Sequence, residues 1–372
     1  MKLSSARRIP HFMPPIGHAG ALAVVVAAVS AFGVGTALGD KPSPVGLKVE
    51  AITVNAQPIA AFDKANPKRT RFGKLTWRGG LILTSPSPNF GGWSGLTMDP
   101  DGKKFLAVSD AGTWLTGSIG YTYSGRPSSI SSARLGPLLT RSGKPLTRGR
   151  DRDAEGVALK SGTLTKGEVL ISFERNHRIG RFRIGPDGVS APSSYIALPP
   201  ETEAMKSNGG LEAVAVLKGG PNKGSLVAIS ERLRDRHGNH QGWIWEKGKP
   251  RGFTITNSGD FDVTDIAALP DGSLLLLERR FRWSEGVKAR LRLMRRNELR
   301  PGARVVGETL LRADLNYEID NMEGLAVHVG AGREIIVTMI SDNNFNAVLQ
   351  RTVLLQFALD GAVLASADGI KQ

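Results

Sequence analysis

The hydrophobic pattern of this chain is a series of short apolar runs set between glycine-containing turns, and one kind of run recurs. Asn321-Met322-Glu323-Gly324-Leu325-Ala326-Val327 has near copies in Asp153–Leu159, Gly210–Val216 and, with Asp for Glu, Val263–Leu269. Gly92–Met98 is a weaker fifth copy, with Ser94 where the acid stands. Positions 94, 155, 212, 265 and 323 follow one another at intervals of 53 to 61 residues. A period of that size built on short apolar runs predicts a repeat architecture.

Each copy has a second half. Glu155, Glu212 and Glu323 are followed 19 residues later by Glu174, Glu231 and Asp342, each ending a β-rich run such as Leu226–Ser230. Asp265 reaches Glu278 after 13 residues and Ser94 reaches Asp110 after 16. Acid, short strand, turn, strand and acid again describe an antiparallel hairpin. The runs are too short for most helices. Two further strands follow each hairpin: Arg178–Ile184 with Ser194–Leu198, Gly242–Glu246 with Gly252–Thr256, and Arg290–Arg295 with Arg304–Leu311. In the last repeat Thr352–Leu359 is clear and Ala362–Ser366 is a candidate.

Four antiparallel strands per repeat, with the acid-bearing strand first, predict an all-β chain folded as a β-propeller. The five copies give five blades, with Leu75–Thr84 closing the ring as an outer strand beside the last repeat. Six blades is the alternative, if residues 46–90 form a blade of their own. The 45 glycines and 21 prolines fit a chain with many turns.

First strands line a propeller's channel, so Glu155, Glu212, Asp265 and Glu323 are expected to converge at one mouth. Carboxylates brought together repel unless a cation or protons compensate. Calcium or another hard divalent cation, taking six to eight oxygens, suits such a ring. These four are the candidate metal ligands, and Asn208 and Asn321 could add amide oxygens. Asp110, Glu174, Glu231 and Asp342 are the candidates for a catalytic base or an outer layer. The competing reading is architectural: the acids cap turns or bond backbone amides between blades. In Glu174-Arg175, Glu231-Arg232 and Glu278-Arg279 a cation adjoins each acid, either as an inter-blade ion pair or to grip anionic oxygen with a guanidinium.

The N-terminus changes where this chemistry is expected to take place. Lys2, Arg7 and Arg8 precede an apolar stretch from about Ala19 to Leu38, and Ala37-Leu38-Gly39 stands before Asp40. Residues 1–39 thus read as a secretory signal peptide, or as a membrane anchor if uncleaved. Export to the periplasm or beyond argues against nucleic acid as a partner, although Lys plus Arg number 49 against 34 acids. Without the three N-terminal cations the balance is still 46 against 34. An anionic small-molecule ester suits that charge, and a membrane enters only through an uncleaved N-terminus. Residues 40–73 read as a connector with a candidate strand at Val49–Val54, and residues 74–372 as the propeller domain. There are no cysteines, which excludes disulfides and thiolate metal sites.

Trp93-Ser94-Gly95-Leu96, Ser109-Asp110, Asp153-Ala154-Glu155-Gly156, Asn208–Glu212, Leu277-Glu278-Arg279-Arg280, Asn321-Met322-Glu323-Gly324 and Ser341-Asp342-Asn343-Asn344-Phe345 occur in that order. Over about residues 75–360 the chain resembles the phytase-like family, described by an esterase-like activity of phytase. The resemblance implies an exported bacterial β-propeller and ester hydrolysis, and the calcium-dependent propeller phytases suggest a phosphate ester and calcium by analogy. The alternative is a propeller without catalysis that binds an anionic ligand or a partner protein in the cell envelope. A Gly-x-Ser-x-Gly elbow and a phosphate-binding P-loop are both missing from the sequence. Arg236-His237-Gly238-Asn239-His240-Gln241-Gly242 resembles the motif of histidine acid phosphatases, but His240 and Gly242 replace its second Arg and its Pro. That segment reads as a polar loop.

Overall fold

The structure, a computed structural model, describes residues 41–365. The expectations for residues 1–39 and for Ser366 lie outside them. Among the described residues the strands form five sheets. Their inner strands are Trp93–Met98, Ala154–Thr163, Leu211–Val216, Asp262–Ala268 and Asn321–Val329, which define blades 1 to 5. Each inner strand packs against the inner strands of the two adjoining blades, and that of blade 5 returns to that of blade 1. The fold is a five-bladed β-propeller.

Packing explains the apolar runs. Five hydrophobic clusters fill the five spaces between successive blades, so a blade is covered on both faces. A strand covered on both faces reads as a continuous hydrophobic run rather than an alternating one. Ile335–Asp342 and Thr352–Leu359 of blade 5 are buried at every position. Outer strands are only partly covered: in Gly188–Ile196 of blade 2 only Val189 and Pro192 are buried.

The ring closes as the sequence predicts: Leu75–Thr84 pairs with Thr352–Leu359 as the fourth strand of blade 5. The N-terminal segment differs from the expected single strand at Val49–Val54. Glu50–Ala51 pairs with the outer strand Pro127–Pro137 of blade 1, and Asn55–Ile59 pairs with Leu75–Thr84 on the outer edge of blade 5. The segment therefore straddles the seam where the ring is joined. Arg304–Leu311 is also divided. Arg304–Val305 pairs in parallel with Lys249–Ile255 of blade 3, Gly307 turns the chain with φ +70°, and Glu308–Ala313 is the outer strand of blade 4. Ala362–Ala365 is a helical turn, not a strand. No described helix is long and apolar enough to cross a membrane.

Candidate active site at the channel mouth

Every inner strand carries a β-bulge at the same level. In blade 1 Trp93 pairs with Ser109 and Gly95 with Val108, which leaves Ser94 as the extra residue. Glu212 and Glu323 are the extra residues in blades 3 and 5, and in blade 2 Glu155 and Gly156 together face Ser172. A bulge bends the strand and re-aims its side chain. Here it turns the acid toward the mouth rather than into an inter-blade core.

The bulge in blade 4 falls on Thr264, because Val263 pairs with Glu278 and Asp265 with Leu277. Asp265 is therefore out of register with the glutamates. It occupies the position of Gly95, Gly156, Ala213 and Gly324. At three of these sites a Cβ would collide: at Gly95 with the Glu155 carbonyl oxygen at 2.7 Å, at Gly156 with that of Glu212 at 2.6 Å, and at Gly324 with Ile340 at 2.7 Å. The backbones close together there, and Asp265 fills the remaining space. Its Oδ1 accepts a hydrogen bond from the Ile266 amide at 2.8 Å and its Oδ2 one from the Leu325 amide of blade 5 at 2.7 Å. Burial pushes the Asp265 carboxyl well above the usual carboxylate range, against the pull of the Leu325, Ile266 and Leu96 amides. The expected metal ligand Asp265 is placed as a buried brace between blades 4, 5 and 1. Below it the channel holds a cavity of about 30 Å³, with room for little more than one water.

Above this layer the other acids gather. One carboxylate oxygen each of Asp153, Glu155 and Glu174 lies within 4.8 Å of the other two, and the same holds for Glu174, Glu212 and Glu231. All five are buried, and Glu174 belongs to both groups. Burial, with the charges of Asp153, Glu174, Asp110 and Glu323, pushes Glu155 well above the usual range. Burial and the neighbouring Glu155, Glu231 and Glu174 do the same to Glu212. Glu231 is pushed up to about 7 by burial, although Arg232 pulls the other way. Asp342 is raised well above its ordinary value by burial and by Asp110 and Glu323.

Second-strand exits form an upper tier. The amides of Asp110, Glu174 and Glu231 bond the carbonyls of Gly92, Asp153 and Gly210 just before each inner strand, and Asp342 pairs with Asn321 at the same level. In blade 4 that level belongs to Arg279, which pairs with Asp262. Glu278 turns the other way, into a wholly buried pair of bidentate contacts. Arg290 reaches it at 2.6 and 2.8 Å, and Arg292 at 2.8 and 2.6 Å. Blade 4 thus supplies Thr264 where blades 2, 3 and 5 supply glutamates, and a guanidinium where the other four blades supply acids. Arg279 Nη1 lies 2.9 Å from Glu323 Oε1, and Asn321 donates to the same oxygen at 2.8 Å. Burial opposes the Arg279 charge, but Glu323, Glu231 and Glu212 outweigh it and hold its pKa above the ordinary value. Glu323 therefore reaches the mouth engaged with Arg279, outside the two close groups.

Lys41 at the mouth has no marker in the repeat pattern. Lys41 places its ammonium at Asp110 and Asp153, and Arg152 holds its carbonyl oxygen. Asp153 itself adjoins the Ala-Glu-Gly of its repeat and could have been read from that. Its Oδ2 lies 2.5 Å from Arg175 Nε. Asn208 is exposed. His240 is buried, with its ring nitrogens 2.7 Å from the Glu231 carbonyl and 3.0 Å from that of Phe261, so it holds the blade together.

The donor set fits a hard divalent cation. It consists of carboxylate oxygens, and two oxygens on opposite sides of a calcium ion stand about 4.6–5.2 Å apart, which matches both groups. Asp110 Oδ1 is buried at the mouth with no hydrogen-bond donor. Such an orphan costs stability unless a cation or a proton meets it.

A protein-family model described as "Phytase-like: Esterase-like activity of phytase" matches residues 88–345. No curated protein sequence matches the chain. Similar solved structures include one titled Kuenenia stuttgartiensis Hydrazine Synthase, at 14% identity over 69% of this chain and 79% of that one, with a TM-score of 0.37. Another is the β-propeller domain of Myceliophteria thermophila Cps50 (Swd1), at 8% identity over 83% of this chain and 99% of that one, with a TM-score of 0.33.

Proposed function

The chain belongs to the phytase-like family, and from that premise we propose that it is an exported hydrolase of phosphate or carboxylic esters that works with a divalent cation, calcium foremost, at the channel mouth. The observation that carries this reading is the pair of buried carboxylate groups joined by Glu174. Asp153, Glu155, Glu174 and Glu212 would hold the cation. When bound, it polarises the ester oxygen and makes a water more acidic.

The chain's own residues supply the rest. Glu231, pushed up to about 7, is matched to neutral pH as the base that takes a proton from water. Arg279 offers a planar fork of donors to an anionic oxygen, and Glu323 and Asn321 fix its orientation. Asp110 and Asp342 complete the wall.

The test is calorimetric titration of calcium into dialysed protein, followed by hydrolysis of phytate, p-nitrophenyl phosphate and p-nitrophenyl acetate. Calcium binding with turnover of at least one ester is expected. A second reading rests on Lys41 and Arg279, which already neutralise part of the mouth: a propeller that binds an anionic ligand without turning it over. Absence of both calcium binding and turnover would favour it.

A further inference from the structure

Trp283 is the exception among the six tryptophans. Trp77, Trp93, Trp114, Trp243 and Trp245 are buried, whereas Trp283 is 65% exposed. It stands at the tip of the hairpin joining the second and third strands of blade 4. That hairpin pairs without a register shift from Leu274–Met294 out to Arg282–Gly286, so its side chains alternate strictly between two faces. Leu274 and Leu276 enter the cluster against blade 3. Leu275 and Leu277 enter the cluster against blade 5. Arg279 continues the second face and reaches Glu323 of blade 5.

Phe281 is next on that face and is 53% exposed. The Trp283 ring meets it edge-on, with centroids 5.4 Å apart and planes at 71°. At about 3.3 Å per residue, Phe281 stands roughly 7 Å beyond Arg279 on the strand, and Trp283 follows in the turn with its ring against Phe281. The opposite face braces the tip. Glu285 takes Arg280 at 2.6 Å and also pairs with Lys288, while Arg282 reaches Asp260 at 2.5 Å. A braced hairpin that holds two aromatic rings in water, with Phe281 on the same strand face as Arg279, is shaped to receive a ring.

We propose that Phe281 and Trp283 form a subsite for an aromatic ring on the ester substrate, whose anionic group meets Arg279. This rests on the mouth being an ester site. The substrate class is then an aryl-bearing anionic ester, such as an aryl phosphate, rather than a small aliphatic one. A two-ring wall without a lid adds modest affinity, about 3- to 10-fold.

The experiment uses the calcium-loaded full chain and compares phenyl phosphate with glycerol 2-phosphate by calorimetry. Intrinsic fluorescence follows the same titrations, because Trp283 alone among the tryptophans is open to a ligand. Phenyl phosphate is expected to bind about 3- to 10-fold tighter and to change the emission. Phe281→Ala should bring the two affinities together, and Glu212→Gln should weaken both while keeping their ratio. Equal affinities in the wild type, or a preference that survives Phe281→Ala, would overturn the subsite and leave the mouth standing. Failure of the wild type to bind either phosphate overturns the mouth and the subsite together. Sedimentation with phosphatidylglycerol vesicles that is lost in Trp283→Ala, with the phosphate ratio unchanged, would assign the rings to a lipid surface instead.

Discussion

The ammonium of Lys41 lies 2.6 Å from Oδ2 of Asp110, at the edge of the channel mouth. It also stands 3.6 Å from Asp153 Oδ1. Burial opposes the charge on Lys41, but Asp110 and Asp153 outweigh it and hold its pKa above the ordinary value. Lys41 is thus a cation tethered where a divalent ion is proposed to bind. Lys41→Met should tighten calcium binding by on the order of tenfold, since a nearby like charge is removed. The same variant should melt at a lower temperature without calcium, because Asp110 loses its partner. Titration calorimetry and calcium-dependent melting check both halves, and unchanged or weaker calcium binding would show that Lys41 does not compete.

The mouth acids give stability a definite pH dependence. The Asp110 carboxyl rises from 3.8 to about 6 on folding, mainly through burial and against the pull of Lys41, and Glu231 rises from 4.5 to about 7. Between these limits the folded state binds more protons than the unfolded one. Stability therefore falls as pH rises from about 4 to about 7. The calcium-free protein should melt several degrees lower at pH 7.5 than at pH 5, about 5 °C or more. Calcium should raise the melting temperature more at the higher pH, because protons compete for the same oxygens. Melting curves at the two pH values with chelator and with calcium test this.

Glu212 and Asp265 separate metal binding from architecture. Glu212→Gln should weaken calcium binding and any ester hydrolysis together, with the fold intact. Asp265→Ala leaves the Ile266 and Leu325 amides without their acceptor, at a cost of about 2–4 kcal/mol, and should leave calcium affinity nearly unchanged. Glu334→Gln, away from the mouth beside Arg78, serves as the control. Urea denaturation and calcium titration of the three variants distinguish the roles. Calcium affinity lost in Asp265→Ala without loss of stability would return Asp265 to the ligand set.

Glu278 is predicted to matter for stability alone. Its carboxylate takes both Arg290 and Arg292, with the Glu278 and Arg290 side chains fully buried. Glu278→Gln leaves two buried guanidiniums with a neutral partner and should cost about 3–5 kcal/mol. Denaturant unfolding measures it, and calcium affinity in the folded variant should match the wild type.

Repeat period, strand content, blade number and the closing strand Leu75–Thr84 were all legible in the sequence. Each is written in local pattern: apolar runs of strand length, turns between them, and a motif that returns five times. Glu155 and Glu212 could be found for the same reason. Asp265 could not be placed, because its neighbours Ile266, Ala267 and Ala268 imitate the other repeats while its bulge falls one residue earlier, on Thr264. A one-residue shift in a strand exchanges its faces, and that register is set by pairing with Val263–Glu278 and Asp265–Leu277 rather than by composition. The same alternation sends Glu278 into a core and Arg279 into the mouth, though the two are adjacent. Lys41 and Asp110 are 69 positions apart in the chain, and only the packing of the N-terminal segment brings them into contact. The sequence by itself determined which elements form and how often they repeat, since backbone geometry and hydrophobic burial act on near neighbours. Tertiary structure decided which charges meet, because that depends on bulge register and on distant segments sharing one surface.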